Sequence, residues 1–325
     1  MDRMKVFNKL SIIWLMITLL GFFAIDSLVF FGIIDPYYEI TLVNVLINII
    51  LAVGLNLIVG YSGQLSLGHA GFMAIGAYAT GILTTENQSM GAFLISLIVG
   101  ILFAGVVALI VGIPTLRLKG DYLAIATLGF SEIIRIVILN MTDLTNGAAG
   151  LSGIPFFADW QMAFALMAIC IILIANYTRS SIGRATIAIR EDEMAAESIG
   201  VNIFYYKLMA FVIGAVTAAI AGSIHASYFG VINPSQFTFN KSIDILIMVV
   251  FGGIGSLTGS VVAATALGIL NMYLQQFGAL RIMIYSLVLI LIMIFKPTGL
   301  FGTREISLAR IFKKKANPIS DGKEG

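Results

Sequence analysis

The sequence predicts an all-α protein, a polytopic transmembrane helical bundle of about ten membrane segments with both termini in the cytoplasm. Of its 325 residues, 59% are hydrophobic and 11% are charged, whereas soluble domains carry about 25% charged residues. The apolar residues form long runs, and a spanning helix needs about 20 consecutive apolar residues. Basic residues collect in alternate loops, and this asymmetry predicts the orientation.

Ten apolar runs are candidates for membrane segments. No small-residue cleavage site follows the first run, so we expect a retained span rather than a signal peptide. The runs at 242–257 and 258–276 are ambiguous, because the glycine-rich stretch between them fits either a tight turn between two short spans or the tip of a re-entrant hairpin. The predicted segments are 11–34, 40–60, 69–85, 92–113, 122–140, 160–177, 207–229, 242–257, 258–276 and 281–295.

The basic residues favour one orientation. With the N-terminus in the cytoplasm, sixteen of the nineteen Lys and Arg residues face inside, Lys241 and Arg281 face outside, and Arg135 lies within the membrane. We expect a transmembrane domain at 1–301 and a basic cytoplasmic tail at 302–325, which anchors the topology rather than binding nucleic acid. The inside set is Arg3, Lys5, Lys9, Arg117, Lys119, Arg179, Arg184, Arg190, Lys207, Lys296, Arg304, Arg310, Lys313, Lys314, Lys315 and Lys323.

The polar stretch at 178–206 separates two apolar runs and must lie in water. Acidic residues crowd the start of its centre, 191–200, which predicts a short helix that ends at a glycine. Ala195, Ala196 and Ile199 share one face of this helix, and a groove of another protein fits such a face; an ordinary solvated amphipathic loop is the alternative. The residues of this candidate docking surface are Arg190, Glu191, Glu193, Ala195, Ala196, Ile199 and Gly200.

Glycines and small residues recur from 60 to 78, between the second and third predicted spans. Small faces let transmembrane helices approach closely, and non-helical backbone at membrane depth occurs only inside protein or beside a cavity. Two interpretations stay open: a broken segment that lines a transport pathway, or tight helix packing with a polar loop. His69 is interpreted as a hydrogen-bonded structural residue rather than a metal ligand. The pathway candidates are Gly63, Gln64, Ser66, Gly68, His69 and Gly71.

Two charged residues stand three apart within the fifth predicted span. Glu132 and Arg135 share a helical face near the middle of the membrane, where ionisable groups usually pair with one another. We interpret them as a structural ion pair, with a role in substrate contact or gating as the alternative. The outer loop at 145–155 is rich in glycine and turn residues, and is either a docking surface for an external partner or a plain connector.

Several chemistries are absent from the sequence. It contains no Gly-x-x-x-x-Gly-Lys-Ser/Thr phosphate loop, so this chain does not hydrolyse ATP by that route. No serine–histidine–acid set or metal cluster stands out, and a single cysteine, Cys170, excludes a disulfide framework. Energy for transport must come from a partner or from an ion gradient. A self-sufficient secondary transporter or channel is therefore an alternative to a transporter driven by a partner. Secondary transporters often contain internal repeats, and we find no convincing repeat in this sequence.

Six stretches, in the same order, resemble the permease family of branched-chain amino acid ABC transporters. They are 60–78, 118–130, 145–155, 178–206, 252–259 and 295–302, and the similarity runs from about Asn44 to Gly302. The string Gly-Leu-Ser-Gly-Ile-Pro at 150–155 and the basic stretch at 117–120 favour the LivM type over the LivH type. Within 178–206, Met194-Ala-Ala-x-x-x-Gly200 is similar to the Glu-Ala-Ala-x-x-x-Gly motif of importer permeases, with Met194 in place of the glutamate.

The resemblance implies a subunit of a heteromeric importer in a bacterial or archaeal plasma membrane. A second, LivH-type permease completes the pathway, two cytoplasmic ATPase subunits bind ATP and Mg²⁺, and an extracytoplasmic binding protein delivers the substrate. The candidate docking surface is then the coupling helix that contacts an ATPase. Relatives of the family are associated with leucine, isoleucine and valine, and also with urea and short amides, so the substrate stays open.

Overall fold

The computed structural model describes residues 35–278 without a gap, together with separate positions between 20 and 32 and between 280 and 302. Most of residues 35–278 are helical, as the apolar runs predict. The helices in chain order are α1 (Pro36–Asn56), α2 (His69–Glu86), α3 (Met90–Thr115), α4 (Asp121–Asn140), α5 (Thr142–Thr145), α6 (Trp160–Arg179), α7 (Ser181–Glu191), α8 (Glu193–Ser198), α9 (Ile203–Phe229), α10 (Phe239–Gly252) and α11 (Leu257–Leu274).

Short elements complete the connections. A π-helix, Leu57–Tyr61, extends α1, and 3₁₀ turns occupy Gly147–Ala149, Pro234–Phe237 and Gln275–Phe277. Strands β1 (Leu151–Ser152) and β2 (Val231–Ile232) pair antiparallel, with Leu151 opposite Ile232. The loop at 145–155 is thereby tied to the segment between α9 and α10, and Asn233 Nδ2 donates to the Ala148 carbonyl at 2.9 Å.

The chain forms two compact units, residues 36–303 and the two chain ends, 1–35 with 304–325. In the unit of the chain ends, the rings of Phe22 and Phe23 meet edge to face with centroids 5.8 Å apart. The segments predicted at 11–34 and 281–295 lie largely outside the described residues, and so does the basic tail at 302–325. The membrane helices described next all belong to the larger unit.

Six helices within the described residues are long and apolar enough to cross a membrane, and the chain is a multi-pass, all-α membrane protein. Two segments within residues 35–278 that the sequence predicts as spans, 69–85 and 242–257, are not among the six. Helix α2 has only 18 residues, several of which are polar. Thirteen of the 18 residues are buried inside the bundle. Helix α10 has 14 residues, which rise about 21 Å and fall short of a hydrocarbon core of about 30 Å. The six are Tyr37–Tyr61, Met90–Thr115, Asp121–Asn140, Trp160–Arg179, Ile203–Phe229 and Leu257–Phe277.

Helices α2 and α9 run side by side in the same direction at the centre of the bundle. A Cβ on Gly76 would lie 1.9 Å from the Ala219 carbonyl oxygen, and one on Gly222 would lie 1.9 Å from the Met73 carbonyl oxygen. Ser223 Oγ donates to the Gly76 carbonyl at 3.2 Å. Close backbone approach through small residues is the usual packing of membrane helices, because no large apolar side chain needs to be removed from water there.

Helix α11 runs along the whole length of α1. Near one end of α1, Asn56 Nδ2 donates to the Ser256 carbonyl at 2.9 Å; near the other end, the Tyr37 hydroxyl donates to Gln275 Oε1 at 2.8 Å. The glycine-rich stretch between α10 and α11 is therefore a tight turn at the end of the bundle, and not a hairpin tip at mid-depth. We call this end, where the 178–206 loop also lies, the loop end.

Candidate functional site

The chain between the π-helix and α2 is not helical, although it lies inside the protein. In this broken segment, residues 62–68, the side chains of Ser62, Gln64 and Ser66 are at most 2% exposed. Gly63 has a positive φ of 70°, which glycine adopts without a Cβ clash and which lets the chain reverse at the loop end. The break is thus held by glycine at its turn and by buried polar side chains beyond it.

Buried hydrogen bonds satisfy most of the polar groups in the first half of the broken segment. Ser62 Oγ donates to the Ile58 carbonyl at 2.7 Å. Gln64 Nε2 donates to Ser62 Oγ at 2.6 Å and to the Lys207 carbonyl at 3.0 Å. The other amide atom, Gln64 Oε1, is buried without a hydrogen-bond partner among the described residues. Such an atom costs free energy unless water or a ligand reaches it.

The second half of the broken segment lies at membrane depth. The Leu67 amide donates to Thr127 Oγ1 at 3.0 Å, and Thr127 lies about 9 Å along α4 from the loop end. The Ala70 amide at the start of α2 donates to Ser242 Oγ of α10 at 3.1 Å. Helix α2 therefore begins within the bundle, enclosed by α4 and α10, which is the setting where non-helical backbone is tolerated in a membrane protein.

Two glycines bring this segment against α4. A Cβ on Gly68 would lie 2.6 Å from the Thr127 carbonyl oxygen, and a Cβ on Gly71 would lie 2.9 Å from Ser131 Cα. Real Cβ atoms do not approach backbone this closely, so neither position has room for a side chain. The backbone approach, rather than a side-chain role, explains the residue type at Gly68 and Gly71.

His69 is 1% exposed, and its ring interacts with the backbone of Leu51. Neither ring nitrogen makes a hydrogen bond of normal geometry to a described residue, although the backbone of Leu51 lies next to the ring. Ser131 Oγ, on the α4 face that packs against Gly71, is also buried without a partner there. In the described part of the chain, no group of three His, Cys, Asp or Glu residues is placed to hold a metal ion.

The short helix predicted at 191–200 is confirmed as α8, and the 178–206 loop contains a second helix, α7, before it. Asp192 separates them in an extended conformation, with φ −158°. Its carboxylate accepts hydrogen bonds from the Met194 amide at 2.9 Å and the Ala195 amide at 3.0 Å. Aspartate is a strong N-cap, so the acidic run starts a separate helix here rather than continuing α7.

The exposed face of α8 also differs from the predicted docking surface. Ala196 is 2% exposed and faces the protein, whereas Met194 and Ile199 are 76% and 77% exposed. Ala195 and Gly200 are exposed as expected, and Gly200 has a positive φ of 85° that ends the helix region. Met194 therefore takes the place of Ala196 on the outward face, because the separate short helix α8 turns Ala196 inward.

Arg190, at the end of α7, connects this loop to the broken segment. Its Nη1 donates to the Gly60 carbonyl of the π-helix at 2.8 Å, and its guanidinium also pairs with Glu191. A Cβ on Gly255, in the turn between α10 and α11, would lie 2.5 Å from the same Nη1. Asn56 completes the junction by accepting from the Gly255 amide at 2.9 Å. Four parts of the chain meet here: α1, the π-helix, the glycine turn and α7.

Glu193 makes a second connection at the loop end. Its carboxylate pairs with Lys207 at the start of α9 and lies 3.5 Å from Lys119 Nζ in the loop before α4. The hydrogen bond from Lys207 holds the pKa of Glu193 below its ordinary value. A groove of about 580 Å³ opens beside this cluster. Its lining includes Arg117, Lys119, Glu193, Gly200, Asn202 and Lys207.

Glu132 and Arg135 form an ion pair within α4, as their spacing predicts. Arg135 Nε lies 2.7 Å from Glu132 Oε2. The two side chains are 32% and 24% exposed in this chain, so the pair lies at the surface of the bundle and not deep inside it. A charged pair at this depth needs a polar neighbour on its open side.

Lys241 was expected outside the membrane, but the structure places it inside the bundle, beside Asn48 of α1. Its Nζ donates to Asn48 Oδ1 at 3.2 Å, and Asn48 lies halfway along the 37–61 helical stretch. The sequence prediction was wrong because α10 begins inside the bundle, after the turn at Pro234–Phe237. Asn48 and Asn56, single polar residues in an apolar run, were the signals in the sequence for these contacts.

Similarity to known proteins extends along most of the chain. Residues 37–296 match the family described as "Branched-chain amino acid transport system / permease component". The chain is 37% identical over 289 residues to the high-affinity branched-chain amino acid transport system permease protein LivM of Escherichia coli, covering 78% of this chain and 68% of LivM. It is 36% identical to LivM of Salmonella typhimurium over the same shares. It is 26% identical to the permease protein LivH of Escherichia coli, covering 79% of this chain and 92% of LivH.

The matched region includes the broken segment, the loop end and the helices around them, from α1 through α11. The family match covers more than half of the chain, and the identity to the LivM proteins exceeds that to LivH. The chain belongs to the family of permease components of branched-chain amino acid transport systems.

Proposed function

We propose that this chain forms half of the membrane pathway of an ATP-binding-cassette importer for branched-chain amino acids in a bacterial or archaeal plasma membrane. The names of its relatives support leucine, isoleucine and valine as substrates. The absence of a phosphate loop from the sequence is consistent with ATP hydrolysis on separate subunits. Both termini and the 178–206 loop lie in the cytoplasm in this proposal, because the basic residues collect there.

The proposed assembly contains a second permease of the LivH type, two cytoplasmic ATPase subunits that bind ATP and Mg²⁺, and an extracytoplasmic binding protein. The outward face of α8, with Met194, Ala195 and Ile199, docks on an ATPase subunit. Two exposed apolar side chains beside charged residues suit a protein contact better than water. The ion pair on α4 faces the second permease or the pathway rather than lipid.

One observation carries the proposal: Arg190 joins the 178–206 loop, which we place against the ATPase, to the break in the membrane helices. The hydrogen bond from Nη1 to the Gly60 carbonyl spans 130 positions in sequence and ends on the π-helix, where α1 gives way to the broken segment. A shift of α7 and α8 on nucleotide binding must move or break this contact. Gly60 and Gly63 have no side chains, so a movement of α7 and α8 acts directly on the backbone at this junction. The movement is thereby transmitted into the broken segment.

The broken segment is the proposed moving part of the pathway. Non-helical backbone changes conformation without breaking a helix, and residues 62–68 are enclosed by α4, α9 and α10. Two buried polar atoms have no hydrogen-bond partner among the described residues: Gln64 Oε1 in this segment and Ser131 Oγ on the face of α4 that packs against Gly71. Water or a polar substrate satisfies these atoms when the pathway opens.

The test is reconstitution of the complete assembly. The chain is co-expressed with its neighbouring permease, ATPase and binding-protein genes, purified through the permease, and placed in liposomes. We expect the four kinds of subunit to co-purify and to import leucine, isoleucine and valine only with ATP. Import driven by an ion gradient without ATPases would contradict the proposal, and import of urea or acetamide but not leucine would replace the substrate.

A further inference from the structure

Helix α10 carries polar residues at membrane depth on its outer side. Asn240 and Asp244 are exposed and Lys241 is partly exposed. The depth of these residues follows from two contacts: Lys241 Nζ reaches Asn48 at the middle of the 37–61 stretch, and Ser242 Oγ reaches the Ala70 amide. Lipid does not solvate amide, ammonium and carboxylate groups, so this face lies against a polar surface or an aqueous path.

Lys241 and Asp244 have the spacing of an ion pair but do not form one. Glu132 and Arg135, also three residues apart on a helix, close to 2.7 Å. Lys241 turns instead to Asn48, and among the described residues it has no carboxylate in salt-bridge contact. Asp244 lies near enough to interact with Lys241 electrostatically, and so does the ring of His225. The Lys241 ammonium and the Asp244 carboxylate are thus neighbours that do not form a salt bridge with each other.

This arrangement fits an α-amino acid. Residues three apart on a helix have Cβ atoms about 5–6 Å apart, which leaves room between the two charged ends for the amino and carboxyl groups of one α-carbon. The Asn48 amide nitrogen supplies a second donor beside the Lys241 ammonium. Helices α4 and α10 are neighbours in the bundle.

We propose that Lys241 and Asp244 form a station in the translocation path that holds the zwitterionic end of the transported amino acid. Lys241, with Asn48, binds the α-carboxylate, and Asp244 binds the α-ammonium. The site reads the zwitterion and leaves the side chain free, so the permease passes leucine, isoleucine and valine alike. This inference rests on the proposed function as an amino acid importer.

The first experiment uses the complete reconstituted importer with Lys241→Met, Lys241→Arg and Asp244→Asn. We expect Lys241→Met and Asp244→Asn to lower ATP-driven leucine uptake at least tenfold at saturating loaded binding protein, and Lys241→Arg to keep most of the uptake. The affinity of leucine for the isolated binding protein should stay unchanged, because that site is on another subunit. Wild-type rates for Lys241→Met would overturn the proposal.

A chemical rescue separates a role in passage from a role in folding. The chain has one cysteine, Cys170, which is buried, so Cys170→Ala with Lys241→Cys leaves a single reactive thiol at position 241. Treatment of the assembled complex with 2-aminoethyl methanethiosulfonate attaches an ammonium, and 2-sulfonatoethyl methanethiosulfonate attaches an anion. We expect the ammonium reagent to restore uptake and the anionic reagent to leave it low.

Two results would overturn the station while leaving the importer in place. One is a thiol at position 241 that reacts with neither reagent in any nucleotide state; the other is equal recovery with both reagents. The parent Cys170→Ala complex with native Lys241 must be insensitive to both. If the wild-type complex does not import leucine at all, the proposed function fails instead, and the two failures are thereby distinguished.

Discussion

Arg190 provides the sharpest test of coupling between the loop end and the broken segment. Replacing Arg190 by Ala removes the hydrogen bond from its Nη1 to the Gly60 carbonyl, which is 2.8 Å long. A hydrogen bond from a charged donor contributes about 1.5–3 kcal/mol, which corresponds to roughly a 10- to 150-fold change in an equilibrium constant. The Arg190 side chain is 24% exposed, so water compensates for part of the loss. We therefore expect an effect near the lower end, about tenfold.

The assay is leucine uptake per ATP hydrolysed by the reconstituted importer. Arg190→Ala should lower this ratio about tenfold while ATP hydrolysis itself continues, because the ATPase sites are on other subunits. The matched control is Arg184→Ala, on the same helix α7. Arg184 is exposed, and its Nη1 donates to the Arg179 carbonyl within the same loop at 3.0 Å. An unchanged ratio in Arg190→Ala, or an equal loss in Arg184→Ala, would refute the link through Gly60.

Three further sets of substitutions test separate parts of the bundle. Replacing Glu132 or Arg135 alone by Ala should destabilise the folded complex and lower its yield. The expected loss of free energy lies between about 1 kcal/mol, typical of an exposed ion pair, and about 3–5 kcal/mol, typical of a buried one. The double alanine variant should recover part of this loss, and additive losses would contradict pairing. Gly71→Leu should destabilise the complex by about 1–3 kcal/mol or more in thermal unfolding, because a Cβ already meets α4 there, whereas Gly129→Leu, where a Cβ meets nothing within 4 Å, should be tolerated. Ile199→Arg should weaken co-purification of the ATPases without lowering the amount of inserted permease, and intact co-purification would remove α8 from the interface.

The pH dependence of the loop end follows from Glu193. Lys207 lowers the pKa of Glu193 from 4.5, so the folded state favours the carboxylate. The stabilisation from this pair is present above the unfolded pKa, near 4.5, and is lost as pH falls through the lower folded pKa. Glu193→Gln should remove this acid-dependent step from the unfolding profile of the complex. An unchanged profile would show that the pair does not contribute.

The sequence alone determined the class of protein, most of the membrane helices and the family. Runs of about 20 apolar residues have few stable alternatives to a helix in a bilayer, because every backbone amide must be satisfied within the segment. The ends of α3, α4 and α6 therefore follow closely from the sequence. The ion pair of Glu132 and Arg135 was also predictable, because both partners lie on one turn of one helix.

Only the tertiary structure decided how the polar residues meet. The Arg190 contact with Gly60 and the Lys241 contact with Asn48 join residues more than a hundred positions apart, so their distance depends on how the helices pack and not on local periodicity. Packing also placed residues 62–68 inside the bundle and started α10 at mid-depth. The apolar pattern of the sequence predicts which helices are buried, but a short polar stretch such as 62–68 can lie either in water or inside the protein. The surrounding helices α4, α9 and α10 decided between them by supplying hydrogen bonds to its buried backbone and side chains.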